Sequence, residues 1–390
     1  MTDARAVGVF FGGRSVEHEV SVVTAQQVMS AMDATPLQPI PVYIAKSGRW
    51  YTGTALRDLD AFRDVDALSA SLTEVRMGPA GAELQAAGGR GGFFGGRRDA
   101  QSIDVAMPLV HGSHGEDGTL QGLFELCDVA YTGCGVAASA VTMDKPLAKE
   151  VLRAAGLPVV EHVLLRRDEW RNDQAAQLDA VHSSASFPLF VKPATLGSSI
   201  GVSRAESDDS LRNAVELALT YDTRCLVEPA LEGAADVNCS VLGRGGDMRV
   251  SVCEQPVSSG LLSYADKYLT KGGAKQAAGA GMKGARRMIP APLDDSTTTR
   301  LHDAARAAFR ALGCEGVVRV DFLVPEDPRH FVVNEVNTVP GSLAFYLWEP
   351  SGVTFTQLVE TLVDLAVRRH AEKQATTYSI DTWLLRGTPD

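Results

Sequence analysis

The sequence predicts a mixed α/β chain: an open parallel α/β unit first, then a small α+β region, then a larger α+β region. Three observations carry this. The chain has 390 residues, room for two or three domains at about 150 residues each. Over the first 135 residues short apolar runs alternate with segments of helical periodicity. From residue 136 onward strand-like and helix-like segments follow in less regular order.

Hydrophobic residues make up 45% and charged residues 22% of the chain, which excludes a disordered, collagen-like or disulfide-scaffold protein. The 37 basic and 48 acidic side chains leave a formal charge of -11 without any long Lys/Arg run, so nucleic acid is not an expected partner. Cys127, Cys134, Cys225, Cys239, Cys253 and Cys314 lie far apart with no Cys-x-x-Cys, a pattern suited to isolated buried thiols in a reducing, cytoplasmic setting. The first apolar stretch, residues 6–11, is too short for a signal-peptide core, and no run of 18 apolar residues predicts a membrane span.

Each element has its own signal. Residues 6–11 read as a strand broken by Gly12-Gly13, and 20–32 carry helical spacing. A second strand follows at 39–44. Residues 52–102, rich in Ala, Gly and Asp, read as a long surface insertion with little chemistry. Residues 103–110 form a buried strand ending at His111-Gly112, and 117–127 a helix. Gly133 and Gly135 mark the boundary that gives parts at 1–135, 136–228 and 229–390. The second part holds a helix at about 144–155 and strands at 161–165, 189–192 and 200–204, with a hinge at 226–229. The third holds a polar glycine-rich stretch at 271–284, a helix near 297–312, strands at 317–324 and 331–337, and a closing amphipathic helix at about 353–370.

Five segments could carry chemistry. Arg319-Val-Asp321 sits on one apolar strand and Asn334-Glu335-Val-Asn337 on the next, and alternation puts Arg319 with Asp321, and Glu335 with Asn337, on one face each. If the strands pair as a hairpin, Asp321, Glu335 and Asn337 present the hard oxygen ligands that magnesium on nucleotide phosphates needs. From spacing alone a solvated sheet face with an ion pair is the plainer alternative. Lys192 ends an apolar strand before the flexible loop Gly197-Ser-Ser-Ile-Gly201, where backbone N–H groups and hydroxyls can approach phosphate. A plain hairpin turn fits as well, and the Walker pattern is absent. Gly12-Gly-Arg-Ser-Val-Glu17-His-Glu-Val-Ser21 lies at a helix N-terminus, either as an anion or polar-ligand site or as a simple cap. His111-Gly-Ser-His-Gly115-Glu-Asp-Gly118 follows a strand of the parallel unit, at the sheet edge where open α/β folds bind ligands, though capping acids and surface histidines would read the same way. Tyr264-Ala-Asp-Lys267-Tyr268 precedes the glycine-rich stretch, the composition of a lid at about 262–288.

Taken in order, these segments resemble the D-alanine:D-alanine ligases of the ATP-grasp superfamily. The resemblance runs through Glu17-His-Glu-Val-Ser21, His111-Gly-x-x-Gly-Glu-Asp-Gly118, Tyr131-x-Gly-x-Gly-Val-x-Ala-Ser139, Met143-Asp-Lys145, Val191-Lys-Pro-Ala194 with Gly197-Ser-Ser199, Lys267-Tyr268, Arg319-Val-Asp321, and Asn334-Glu-Val-Asn-Thr338 with Pro340-Gly341. It covers most of the chain outside 52–102 and the last 20 residues. It implies an ATP-grasp fold and an ATP-dependent carboxylate–amine ligation that passes through an acyl phosphate.

By resemblance, Lys145, Lys192 and Ser199 hold the nucleotide phosphates, Lys267 the γ-phosphate, Glu228 the adenine edge, and Asp321, Glu335 and Asn337 two Mg2+ ions that Mn2+ can replace. Arg319 and the Gly341 N–H stabilise the tetrahedral oxyanion. Glu17 fixes the donor ammonium, Ser198 with Tyr268 ties the lid to it, and Ser21 and His111 lie on the substrate side. The family's usual state implies a homodimer.

Two departures stand out. Asp236 takes the place of the glutamate that binds ribose hydroxyls, one methylene shorter. Tyr346, with Leu347 after it, stands at the serine position of the Ser-Leu pair that meets the acceptor carboxylate, and its bulk should reshape that pocket. The leading expectation is D-alanyl-D-alanine synthesis for peptidoglycan. The runner-up is a homologous dipeptide ligase with another acceptor, and a nucleotide-binding relic without turnover is the third reading.

Overall fold

The computed structural model describes residues 5–78, 81, 83–87, 101–257 and 287–380. Most of the expected lid, with Lys267 and Tyr268, and part of the expected insertion lie outside the described residues.

Strand Ala6–Gly12 is buried along nearly its whole length, as a parallel strand covered on both faces must be. It pairs in parallel with Gln38–Ile44 on one side and Val105–Pro108 on the other, with Ala130–Tyr131 beyond. Gly12 (φ +91°) is required where this strand turns out of the sheet, because a Cβ there would stand 2.4 Å from the Ile44 carbonyl oxygen.

The stretch expected as a loose insertion instead extends this sheet. Trp50–Thr52, Thr73–Met77, Glu83–Ala86 and Gln101–Ser102 add four antiparallel strands, making eight among the described residues. Val75 and Leu84 anchor them in the core, while their alternate residues face outward.

One face of the sheet packs Val7, Val9 and Phe11 against Val22, Ala25, Val28 and Met29 of helix His18–Met32. The same cluster takes in Leu358, Val359, Leu362, Val363 and Ala366 of the last helix, Phe355–Gln374. The chain's end thus returns to cover its beginning. Arg369 secures the return, donating to the carbonyls of Gly133 (2.7 Å) and Tyr131 (2.5 Å).

A second sheet, antiparallel throughout, runs in the order Ser203–Ala205, Leu189–Pro193, Arg224–Pro229, Val163–Arg166. The expected hinge at 226–229 is therefore the end of an interior strand: Leu226 and Val227 pair on both sides, and Glu228 and Pro229 with Leu189–Pro193 alone. Helices Gln174–Ser184 and Asp208–Tyr221 cover its apolar face.

A third antiparallel sheet runs Asp247–Val250, Ala235–Arg244, Gly316–Val324, Val332–Asn337, with helix Asp295–Ala311 packed on Val318, Val320 and Phe322. All six cysteines are free and buried. Among the described residues no helix is long and apolar enough to cross a membrane.

Candidate active site

Strand alternation turns one face of the second sheet polar. Leu189, Val191 and Val227 face its core, and Lys192 lies on the opposite face with Glu228, whose register partner is Phe190. Lys192 Nζ lies 2.6 Å from Glu228 Oε2 and donates to Asn334 Oδ1 of the third sheet at 3.3 Å. Lys145 opens helix Lys145–Ala154, whose first turn is capped by Asp144, and its Nζ reaches the Leu196 carbonyl at 2.8 Å and Glu335 at 3.6 Å. Both lysines expected at the phosphates therefore reach the third sheet, Lys192 from the second sheet and Lys145 from the helix beside it. Lys149, one helical turn on, meets Glu228 Oε1 at 3.0 Å. Burial alone would raise the Glu228 carboxyl, but Lys192 and Lys149 outweigh it and hold it down at about 2. Asp236 lies at the start of strand Ala235–Arg244 and acts electrostatically on Lys192.

The third sheet presents a matching polar face. Asp321 is the register partner of both Asn238 and Glu335, and Arg319 that of Ser240 and Asn337, while Val318, Val320 and Val336 fill the core behind. Arg319 grips Asp321 with two 2.6 Å hydrogen bonds, and Asn337 Nδ2 donates to Asp321 at 3.1 Å. Burial disfavours the Arg319 charge, but Asp321 more than offsets it and keeps the guanidinium firmly protonated.

Among the described residues no cluster of three or more His, Cys, Asp or Glu is poised for a metal. Two carboxylates and one amide, facing lysines suited to phosphate, nevertheless match magnesium, which takes one or two protein carboxylates and completes its shell with water and phosphate oxygens.

Glu17 precedes helix His18–Met32 and is buried, as are His18 and Ser21. Ser198, in the left-handed region with Ser199 (φ 53° and 58°), donates its hydroxyl to Glu17 Oε1. Two glycines close around that carboxylate: a Cβ on Gly112 or Gly197 would stand 2.6 or 2.9 Å from Glu17 Oε2. Ser21 is engaged with the backbone, accepting from Gly12 N–H (2.8 Å) and donating to the Leu109 carbonyl (2.6 Å), so it fixes the glycine turn.

A chain of contacts leads from this end to Gly341. His111 Nε2 pairs with Thr24 Oγ1 at 3.1 Å, and Thr24 accepts from the Ser342 N–H at 3.2 Å. Burial lowers the His111 ring to about 4, so it works as a neutral imidazole. Glu116 Oε2 accepts from Gly112 N–H (2.8 Å), and its Oε1 accepts from Val339 N–H (2.8 Å) and the Thr338 hydroxyl (3.3 Å). One carboxylate thus joins the loop against Glu17 to the loop carrying Gly341.

Burial and Glu17 push the Glu116 carboxyl up to about 7, against the pull of its three donors. Because its folded value lies above the unfolded one, its contribution to stability is complete below the unfolded value and is lost as pH rises through the folded one. The Tm of the wild type minus that of Glu116→Gln should therefore fall between about pH 5 and about pH 8.5; a constant or widening gap in a thermal-melt series would contradict this.

Tyr346 and Leu347 are buried on the short helix Phe345–Trp348, after three residues of left-handed backbone, Ser342, Leu343 and Ala344. The Tyr346 hydroxyl donates to Glu254 Oε1 at 3.0 Å, and Glu254 also accepts from Asn238 (3.2 Å) and Arg287 (2.9 Å). The Arg287 guanidinium stacks 4.3 Å over the Tyr346 ring. Burial, reinforced by Glu254, keeps this phenol protonated. Sequence reasoning missed Thr24, Lys149, Glu254 and Arg287. Only Lys149 carried a signal, its i,i+4 spacing from Lys145.

Two antiparallel sheets, joined through Lys192 of one and Lys145 of the adjoining helix to the Asn334 and Glu335 side chains of the other, are the arrangement of an ATP-grasp ligase, the class to which comparison with known proteins assigns the chain. Models of the D-Ala D-Ala ligase N-terminus and C-terminus match residues 6–134 and 151–364. The chain is 36% identical to the D-alanine–D-alanine ligase of Thermosipho africanus over 96% of this chain and 97% of that one. It is 37% identical to that of Chloroherpeton thalassium over 95% and 98%. Among solved structures it is similar to the D-alanine-D-alanine ligase of Coxiella burnetii (TM-score 0.78, 30% identity, 96% and 97% covered). It is also similar to a D-Ala:D-Ser ligase of Enterococcus faecalis (0.77, 30%, 93% and 100%). The chain belongs to the D-alanine–D-alanine ligase family, whose members are ATP-dependent enzymes acting on small molecules.

Proposed function

We propose that the enzyme joins two D-alanines into D-alanyl-D-alanine, converting ATP to ADP and phosphate, and so supplies a peptidoglycan precursor in the cytoplasm. The observation that carries this reading is a run of contacts: Lys145 and Lys192 reach Glu335 and Asn334 beside the Arg319–Asp321–Asn337 face, and Ser198, in the loop after Lys192, donates to Glu17.

A carboxylate is a poor electrophile, so a donor oxygen first attacks the γ-phosphorus of ATP and expels ADP. The acceptor amine then attacks the carbonyl carbon of the acyl phosphate, and phosphate departs with the donor oxygen. Lys145, Lys192 and Ser199 hold the nucleotide phosphates, and Lys267 the γ-phosphate. Glu228 meets the adenine edge, and Asp236 the ribose. Asp321, Glu335 and Asn337 would hold two Mg2+ ions, which when bound spread the charge of the transferring phosphoryl group. Glu17 fixes the donor ammonium, and Ser198 with Tyr268 ties the lid to it. Ser21 and His111 shape the substrate side through the turns they hold. Arg319 and the Gly341 N–H stabilise the tetrahedral oxyanion. The same reading divides the chain at 1–135, 136–228 and 229–390, with a lid at about 262–288, and makes the enzyme a homodimer.

Purified protein with Mg-ATP and D-alanine alone should release ADP and yield a product of dipeptide mass. Turnover only after another amino acid is added would instead favour a ligase with a different acceptor.

That second reading is motivated by Tyr346. Its single hydroxyl proton is committed to Glu254, so the ring, with Arg287 over it, forms a wall of the acceptor end, and the backbone of Leu347 is left for the acceptor carboxylate. Tyr346→Ser should broaden acceptor use toward D-serine and larger D-amino acids, read as product masses. An unchanged profile removes Tyr346 from the acceptor wall.

A further inference from the structure

We infer that Lys149 is a positioning residue: it is the standing counter-charge of Glu228, and it frees Lys192 to move onto the nucleotide phosphates. This rests on the proposed role of Lys192 at those phosphates.

Glu228 is 2% exposed, with Lys149 on one oxygen (3.0 Å) and Lys192 on the other (2.6 Å). One carboxylate neutralises one ammonium, so the cluster carries a surplus cation, and Lys145 acts electrostatically on it as well. The two lysines are not equivalent. Lys149 is 3% exposed, sits on the capped helix Lys145–Ala154, and among the described residues has as its only other neighbour within hydrogen-bond range the Val160 carbonyl at 3.4 Å. Its charge can go nowhere else. Lys192 stands between two sheets, already reaches Asn334, and feels Glu335 and Asp236 across the cleft.

A triphosphate entering the cleft competes with Glu228 for Lys192. Were Lys192 the sole partner of Glu228, its departure would strand a buried carboxylate, a heavy penalty that would be charged against nucleotide binding. With Lys149 fixed on the other oxygen, the carboxylate stays paired and in place for the adenine edge while Lys192 swings to phosphate. The surplus cation is thus the one that the ligand needs.

The test compares ATP and adenosine affinity, by titration calorimetry with magnesium present, across the full-length wild type, Lys149→Met, Lys192→Met and Lys149→Met/Glu228→Gln. Adenosine lacks phosphate and does not call Lys192 away. Lys149→Met should bind ATP roughly tenfold or more weakly while adenosine affinity changes by less than about threefold. The double variant, free of both buried charges, should lose adenine contact for ATP and adenosine alike but recover an ATP-to-adenosine affinity ratio within about threefold of wild type, and it keeps the test usable if Lys149→Met does not fold. Parallel weakening of ATP and adenosine in Lys149→Met, an unchanged ATP affinity in Lys149→Met, or a double variant whose ATP-to-adenosine affinity ratio stays depressed would each overturn the inference. Unchanged ATP affinity in Lys192→Met would overturn the phosphate assignment itself, a result distinct from any of these.

Discussion

Replacing Arg319 by methionine is expected to lower kcat by about a hundredfold or more, with little change in the KM for ATP. Its guanidinium is buried, locked in plane by two 2.6 Å hydrogen bonds to Asp321, and acts electrostatically with Tyr346 and Glu254. A donor so fixed needs no reorganisation when negative charge develops beside it, and its effect is therefore felt in the transition state more than in ground-state binding. Arg319→Lys should rescue little, because an ammonium cannot make the two-pronged contact with Asp321. Steady-state kinetics decide this: a raised KM for ATP with kcat preserved would place Arg319 at the nucleotide instead of at the oxyanion.

Asp321→Asn is expected to cost still more, about a thousandfold in kcat/KM, together with at least a tenfold rise in the magnesium concentration for half-maximal rate. Asp321 serves two neighbours at once. It orients Arg319, and it shares its polar face with Glu335 and Asn337, whose Nδ2 donates to it at 3.1 Å. An amide cannot hold both prongs of Arg319 and offers less charge to a cation. Glu335→Gln leaves the Arg319 pairing intact, so it should share the magnesium effect while losing less in kcat. Equal magnesium dependence in wild type and both variants would remove this strand pair from the cation site.

Where neighbours in sequence are neighbours in space, the sequence was legible. The buried run at 6–11 and the alternating Arg319–Asp321 and Glu335–Asn337 pairs read directly, because strand period and burial coincide there. The hairpin register then placed Asp321 beside Glu335. The 52–102 stretch misled because its strands are short and half-exposed, carrying at most one buried residue each within an Ala/Gly-rich composition. Residues 226–229 looked like a hinge because Glu228-Pro229 ends the apolar run, yet all four are strand residues, the first two paired on both sides. The amphipathic face of Phe355–Gln374 was readable, but its partner, the first strand some 350 residues earlier in the chain, was not. The same limit hid Glu254, which belongs to no motif and acquires its role only because Asn238, Arg287 and Tyr346 converge on it. Glu116 lay inside a quoted motif, but its bridge to Val339 exists only in three dimensions.

The central claim is that this cleft activates a carboxylate by phosphoryl transfer before the amine attacks. The most direct measurement supplies D-alanine labelled with 18O in both carboxylate oxygens and reads the phosphate released with ATP and magnesium by mass spectrometry. Transfer through an acyl phosphate places one donor oxygen in each phosphate, so singly labelled phosphate should appear in step with dipeptide. Dipeptide formed alongside unlabelled phosphate would contradict the account.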